Sequence, residues 1–129
     1  FERARTTRNN AYTPYSHFKV GAALHIADRD EIVDACNVEN VSYGATVCAE
    51  RNAVFAAIAR YGEVNADHLV VVTDSTPPAP PCALCLQVLQ EFFPPEFPIH
   101  LADLSGIRET VTLGELLPIR FSAFTPTEE

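Results

Sequence analysis

An unbroken apolar stretch, Leu69-Val70-Val71-Val72, lies between two longer runs whose apolar residues recur at helical spacing, and this restricts the fold more than any other feature of the chain. A strand that is apolar at every position is buried on both faces, so each side of its sheet must be covered. The spacing predicts a central parallel strand over residues 68–73. The run over residues 46–61 carries Val47, Val54, Phe55 and Ile58 among alanines and stops at Gly62, a residue suited to ending a helix. The run over residues 82–93 carries Leu84, Leu86, Val88, Leu89, Phe92 and Phe93 and stops at Pro94-Pro95.

The remaining segments complete a layered pattern. Residues 2–10 are polar and helix-tolerant, and Pro14 stops them. Over residues 18–26 the chain alternates, with Phe18, Val20, Ala22, Leu24 and Ile26 on one face, and residues 32–37 run back after an acidic turn as the second arm of a hairpin. The proline-rich segment 77–81 is stiff and extended and delivers the chain to Cys82 with little freedom. Two more strands, over 98–104 and 107–113, flank Ser105-Gly106, and Thr112-Leu113-Gly114-Glu115 is a capping box for a short last helix ended by Pro118. The expected fold is an α/β domain, three-layer α/β/α with a mixed five-stranded sheet, in one unit spanning 1–129. A chain of 129 residues that is 47% apolar can bury a core of ordinary size.

Charge narrows the partners. Lys and Arg number 9 against 17 Asp and Glu, a formal charge of −8. That argues against nucleic acid, whose affinity rests on cations neutralising phosphates. Arg3, Arg5 and Arg8 cluster near the N-terminus and read as a solvated helix face. No apolar run approaches the ~18 to 20 residues that span a bilayer, so no membrane partner is expected. The 4 cysteines could form disulfides in a secreted domain, but no signal-peptide pattern is present and a C-x-x-C pair sits where a helix should start. A reducing cytoplasm is the expected location.

The cysteines instead suggest a metal. Cys48-Ala49-Glu50 opens one helical run, and Pro81-Cys82-Ala83-Leu84-Cys85 opens the other. A structural zinc site is normally closed by four protein ligands, whereas three leave a position for water, whose protons an adjacent carboxylate can move. Three thiolates around a divalent ion carry a net charge of about −1, which helix N-termini offset. Arg51 could also donate to the sulfurs. Glu50, on the same turn as Cys48 but not obliged to bind the metal, suits a proton shuttle. A redox pair or a structural zinc site would also use C-x-x-C, but neither explains Cys48-Ala49-Glu50. Cys36 reads as a small core residue, and His17, His25, His68 and His100 match no ligand pattern and read as surface or packing residues.

These motifs together resemble the zinc-dependent cytidine deaminases, specifically the small homotetrameric class with three cysteine ligands. The resemblance extends over Tyr12-x-Pro14-Tyr15-Ser16-His17-Phe18-x-Val20-Gly21-Ala22-Ala23, Cys36-Asn37-Val38-Glu39-Asn40 and Leu116-Leu117-Pro118-x-x-Phe121, nearly the whole chain in order. It implies one zinc per subunit on Cys48, Cys82 and Cys85, with Glu50 moving protons as water adds to carbon 4 of cytosine and ammonia leaves. It further implies that Asn37 and Glu39 hold the ribose, Phe18 packs on the nucleoside, the Ala49 backbone meets the base edge, and Phe121 reaches a neighbouring subunit's base in a homotetramer. The substrate implied is a free nucleoside, cytidine or 2′-deoxycytidine, in pyrimidine salvage; a modified cytidine or an aminonucleoside antibiotic is the alternative. The chain departs from the family pattern at Ala83 and Leu86, where glycine and arginine are usual. This leaves Arg51 as the cation expected beside the sulfurs.

Overall fold

The computed structural model describes residues 1–124, so positions 125–129 of the expected domain lie outside the described residues. Its sheet has five strands in the order β2-β1-β3-β4-β5: β1 Gly21–Ile26, β2 Glu31–Cys36, β3 Ala66–Val72, β4 Pro98–Ala102 and β5 Ile107–Thr112. β1 pairs antiparallel with both β2 and β3, β3 runs parallel to β4, and β5 returns antiparallel to β4, so the sheet is mixed. The parallel pair needs a crossover, and helix α3, Ala83–Phe92, lies within that connection.

The unbroken apolar run of β3 is explained by layers on both sides of it. Leu69 and Val71 pack with Leu24, Ile26, Leu89 and Ile99 in the main core, which includes residues of helix α2, Ala49–Tyr61, and of α3. Val70 and Val72 point the other way, into a smaller cluster with Ala4, Ala23 and Ala102 under helix α1, Glu2–Thr7. Among the described residues the second layer is therefore thin, a single short helix over part of the sheet. Its closeness depends on Gly21, because a methyl group there would overlap the Ala4 carbonyl oxygen.

Several boundaries differ from the sequence pattern, each for a local reason. The first strand begins at Gly21 rather than at residue 18 because the preceding residues are held by a side chain: Val20 N–H donates to Asn37 Oδ1 (2.9 Å), and Asn37 Nδ2 donates to the Phe18 carbonyl (2.8 Å). The helix expected from residue 46 starts at Ala49, since Val47 still bridges Val38 in extended conformation and Cys48 is the N-cap. Residues 8–10 tighten into a 3-10 turn after α1. At the far end the capping box forms, with Glu115 N–H on Thr112 Oγ1 and Thr112 N–H on Glu115 Oε2, opening α4, Leu113–Leu116. The arginines of α1 and the following turn are paired within the chain: Arg3 with Asp34, Arg5 with Glu2, and Arg8 with Asp74.

Candidate active site

Two helix starts bring the sulfurs together. Cys48 caps α2 and Cys82 caps α3, both with extended backbone, while Cys85 lies in the first turn of α3. The sulfurs of Cys48 and Cys82 are 3.8 Å apart, those of Cys82 and Cys85 3.5 Å, and all three lie within 4.8 Å of one another. Tetrahedral zinc with Zn–S bonds of about 2.3 Å spaces its sulfurs about 3.8 Å apart, so this donor set fits zinc in size and chemistry.

The helix N-termini and one guanidinium supply the positive field that clustered thiolates require. Arg51 Nη2 donates to Cys48 Sγ at 3.5 Å. Facing the Cys85 thiol and the Arg51 guanidinium, Cys48 has its pKa lowered to about 5. Cys85 moves the other way, because it faces the ionised Cys48, is fully buried and lies near Glu50.

Glu50 is buried, 5% exposed, in the first turn of α2. Its Oε2 accepts from the Cys85 thiol at 3.8 Å. Burial, reinforced by the charge on Cys48, raises its carboxyl to about 7. A carboxyl titrating near neutrality can accept and return a proton at little cost.

Cys48, Cys82 and Glu50 border a cavity of about 270 Å³ whose other walls include Phe18, Asn37 and Glu39. Glu39 is fixed as an ionised acceptor: Oε1 takes the N–H groups of Tyr15 (3.0 Å) and Ser16 (3.1 Å), Oε2 takes the Ser16 hydroxyl, and this bonding holds its pKa below the ordinary value. Asn37 is buried and spends its oxygen on Val20 and one amide hydrogen on Phe18, leaving the second amide hydrogen for another acceptor. Ala49 is fully buried between Cys48 and Glu50 at the first position of α2.

The structure brings together Cys48, Cys82, Cys85, Glu50, Arg51, Phe18, Asn37 and Glu39, but not Phe121. Phe121 lies 59% exposed, its carbonyl held by Gln87 and Gln90 side chains, against a different depression that it shares with Phe124. Sequence reasoning assigned no role to Ser16, Thr46 or Thr73, which also line the cavity. Ser16 was discoverable within the Tyr15-Ser16-His17-Phe18 motif; Thr46 and Thr73 carry no pattern of their own. Ser16, Glu39 and Thr46 also line a second depression with Tyr15 and Tyr43.

Comparison with known proteins agrees with this geometry. The profile of the family described as "Cytidine and deoxycytidylate deaminase zinc-binding region" matches residues 1–101. A cytidine deaminase of Halalkalibacterium halodurans is 42% identical over 95% of this chain and 91% of that protein. One of Sporosarcina psychrophila is 43% identical over 92% and 86%. Among solved structures, the cytidine deaminase of Burkholderia pseudomallei superposes with a TM-score of 0.84 at 41% identity, covering 93% of this chain and 94% of that one. A likeness this extensive, on a chain whose three sulfurs fit zinc, makes this protein a member of the zinc-binding cytidine and deoxycytidylate deaminase family.

Proposed function

We propose that the chain hydrolyses free cytidine and 2′-deoxycytidine to uridine and 2′-deoxyuridine with release of ammonia, as a single catalytic domain over 1–129 serving pyrimidine salvage. The observation that carries this reading is Glu50: a buried carboxyl, raised to about 7, beside a three-sulfur cluster and lining a cavity that also offers Phe18, Asn37 and Glu39. When bound by Cys48, Cys82 and Cys85, zinc supplies Lewis acidity that polarises the attacking water. Glu50 takes a proton as water adds to carbon 4, delivers it to ring nitrogen 3, and passes a second to the departing amine. Water and cytidine enter, and uridine and ammonia leave, so the carboxylate ends each cycle as it began.

Glu39, kept anionic by Tyr15 and Ser16, and the remaining amide hydrogen of Asn37 suit the ribose hydroxyls. Phe18, 37% exposed on the cavity wall, packs against the nucleoside, and the Ala49 backbone meets the base edge. Phe121 lines a different depression from its own cavity, which supports a homotetramer in which it serves a neighbour's site. The 4 cysteines are free thiols, in keeping with a cytoplasmic protein, and among the described residues no helix is long and apolar enough to cross a membrane.

A blasticidin-S deaminase of Bacillus cereus is 28% identical over 80% of this chain, against 42% for the cytidine deaminase of Halalkalibacterium halodurans. Absorbance-monitored turnover of cytidine, 2′-deoxycytidine, cytosine and blasticidin S by the zinc-loaded protein and its Glu50→Gln variant tests the reading. Turnover of the two nucleosides, lost in the variant while zinc is retained, is the expected result. Turnover of blasticidin S alone, or of nothing by a folded one-zinc protein, overturns it.

A further inference from the structure

The uncovered part of the sheet's second face holds a second cluster. His25 on β1 and His68 on β3 are paired in register, their rings stacked at 5.1 Å and 17°. Both direct Nδ1 at the same Asp67 oxygen, at 2.8 Å from His25 and 2.7 Å from His68. Asp67 belongs there because of a register shift: His25 pairs with His68 and Ile26 with Ala66, so Asp67 is the extra residue of a bulge, a device that re-aims a side chain. Asp30, in the β1–β2 turn with a left-handed φ of 49°, extends its carboxylate to His25 Nε2 at 2.9 Å. The cluster lies at the opposite end of β1 from Gly21 and on the α1 side of the sheet, apart from the cysteines under α2 and α3.

We propose that His25 Nδ1, the Asp67 carboxylate and His68 Nδ1 form a second metal site, taking one divalent transition-metal ion that accepts right-angled donors, of which nickel is the type. Three observations support this. The three donor atoms lie within 4.8 Å of one another, on neighbouring strands of a rigid sheet. The 2.8 and 2.7 Å separations are hydrogen-bond and ion-pair contacts in this structure, and opening them by only about 0.2–0.3 Å reaches the ~3.0 Å between adjacent donors at right angles around a metal with bonds of about 2.1 Å, against ~3.4 Å for a tetrahedral set. Asp30 on the far ring nitrogen supplies the carboxylate–histidine partner that orients a ligating imidazole; Asp30 and Asp67 together raise the His25 pKa, so the incoming metal displaces the Nδ1 proton held between His25 and Asp67. With that proton displaced, the carboxylates of Asp30 and Asp67 supply two negative charges to match a divalent ion.

The test is a calorimetric titration of Ni²⁺ into tag-free, zinc-loaded full chain, with bound zinc and nickel counted by mass spectrometry after dialysis. One equivalent of nickel bound with zinc retained is the expected result. His68→Asn and Asp67→Asn then abolish it, and Asp30→Asn weakens it by about tenfold to a hundredfold, the usual effect of losing a ligand's hydrogen-bond partner. Cobalt at the same site, with zinc still on the cysteines, should absorb in the visible without a thiolate charge-transfer band. Circular dichroism and cytidine turnover should be unchanged in these variants, since none of the residues faces the catalytic cavity. Nickel binding that survives His68→Asn, nickel uptake matched by zinc loss, or no binding to the folded protein overturns the proposal.

Discussion

Arg51 Nη2 donates to Cys48 Sγ across 3.5 Å, and Leu86, where the family carries an arginine, is buried in the apolar core instead. Charge compensation of the sulfur cluster by a side chain therefore rests on Arg51, with the two helix N-termini supplying the rest. Arg51→Gln should retain zinc but lower turnover by about tenfold to a hundredfold, the usual scale for residues that support a metal ligand. Arg51→Lys should recover part of that loss. Parallel assays of turnover and zinc content check both statements.

Asn37 braces the chain entering β1 as well as lining the cavity. Asn37→Ala removes both bonds to the 18–20 backbone and leaves the part-buried Phe18 carbonyl and Val20 N–H without that partner. The expected cost is about 1–3 kcal/mol in urea unfolding, together with a raised KM for cytidine as Phe18 loses its fixed position. A variant that raised KM with unchanged stability would separate the two roles.

At Gly21 the sheet and α1 approach too closely for a side chain. Gly21→Ala should cost about 1–3 kcal/mol by forcing the helix outward, a typical penalty for overpacking. Hydrogen exchange localises the effect: faster exchange in α1 and the 3-10 turn, with α2 and α3 unchanged.

Asp103 organises the β4–β5 turn. Its carboxylate accepts from Arg108 Nε (2.7 Å), Ser105 N–H (2.8 Å) and Gly106 N–H (3.1 Å), and the Arg108 bond first among these holds its pKa below the ordinary value. A carboxylate with a lower pKa folded than unfolded adds stability above its unfolded pKa of about 3.9, and that stability is lost as pH falls through the folded value. Asp103→Asn keeps an acceptor for the two N–H groups but drops the charge. Its Tm should be about 1–3 °C lower than wild type near neutral pH, and the gap should close as pH falls below about 3.9 and through the lower folded value.

The sequence made the zinc cluster legible because its information is local: Cys48 and the Cys82/Cys85 pair sit at helix starts that apolar spacing and a proline-rich lead-in both mark. The double burial of β3 was legible for the same reason, as was the Thr112/Glu115 cap. Asn37 was read as a ribose contact through the family resemblance, and its part as a brace was not legible, because that role depends on a backbone segment 17 residues away. The histidines were read as surface or packing residues. His25 and His68 do stack, but their convergence on Asp67 comes from a one-residue bulge that alternating hydrophobicity does not reveal.

The strand order leaves β2 and β5 at the margins of the sheet, and each is poorly suited to accept another strand. β5 presents Arg108, Glu109 and Thr110 to solvent, and on β2 Arg3 ties Asp34 and reaches the Ile32 carbonyl. Copies of this protein are thereby steered away from joining edge to edge into a continuous ribbon. Any contact between copies is left to helices and loops, and the sheet itself does not become a template for fibres.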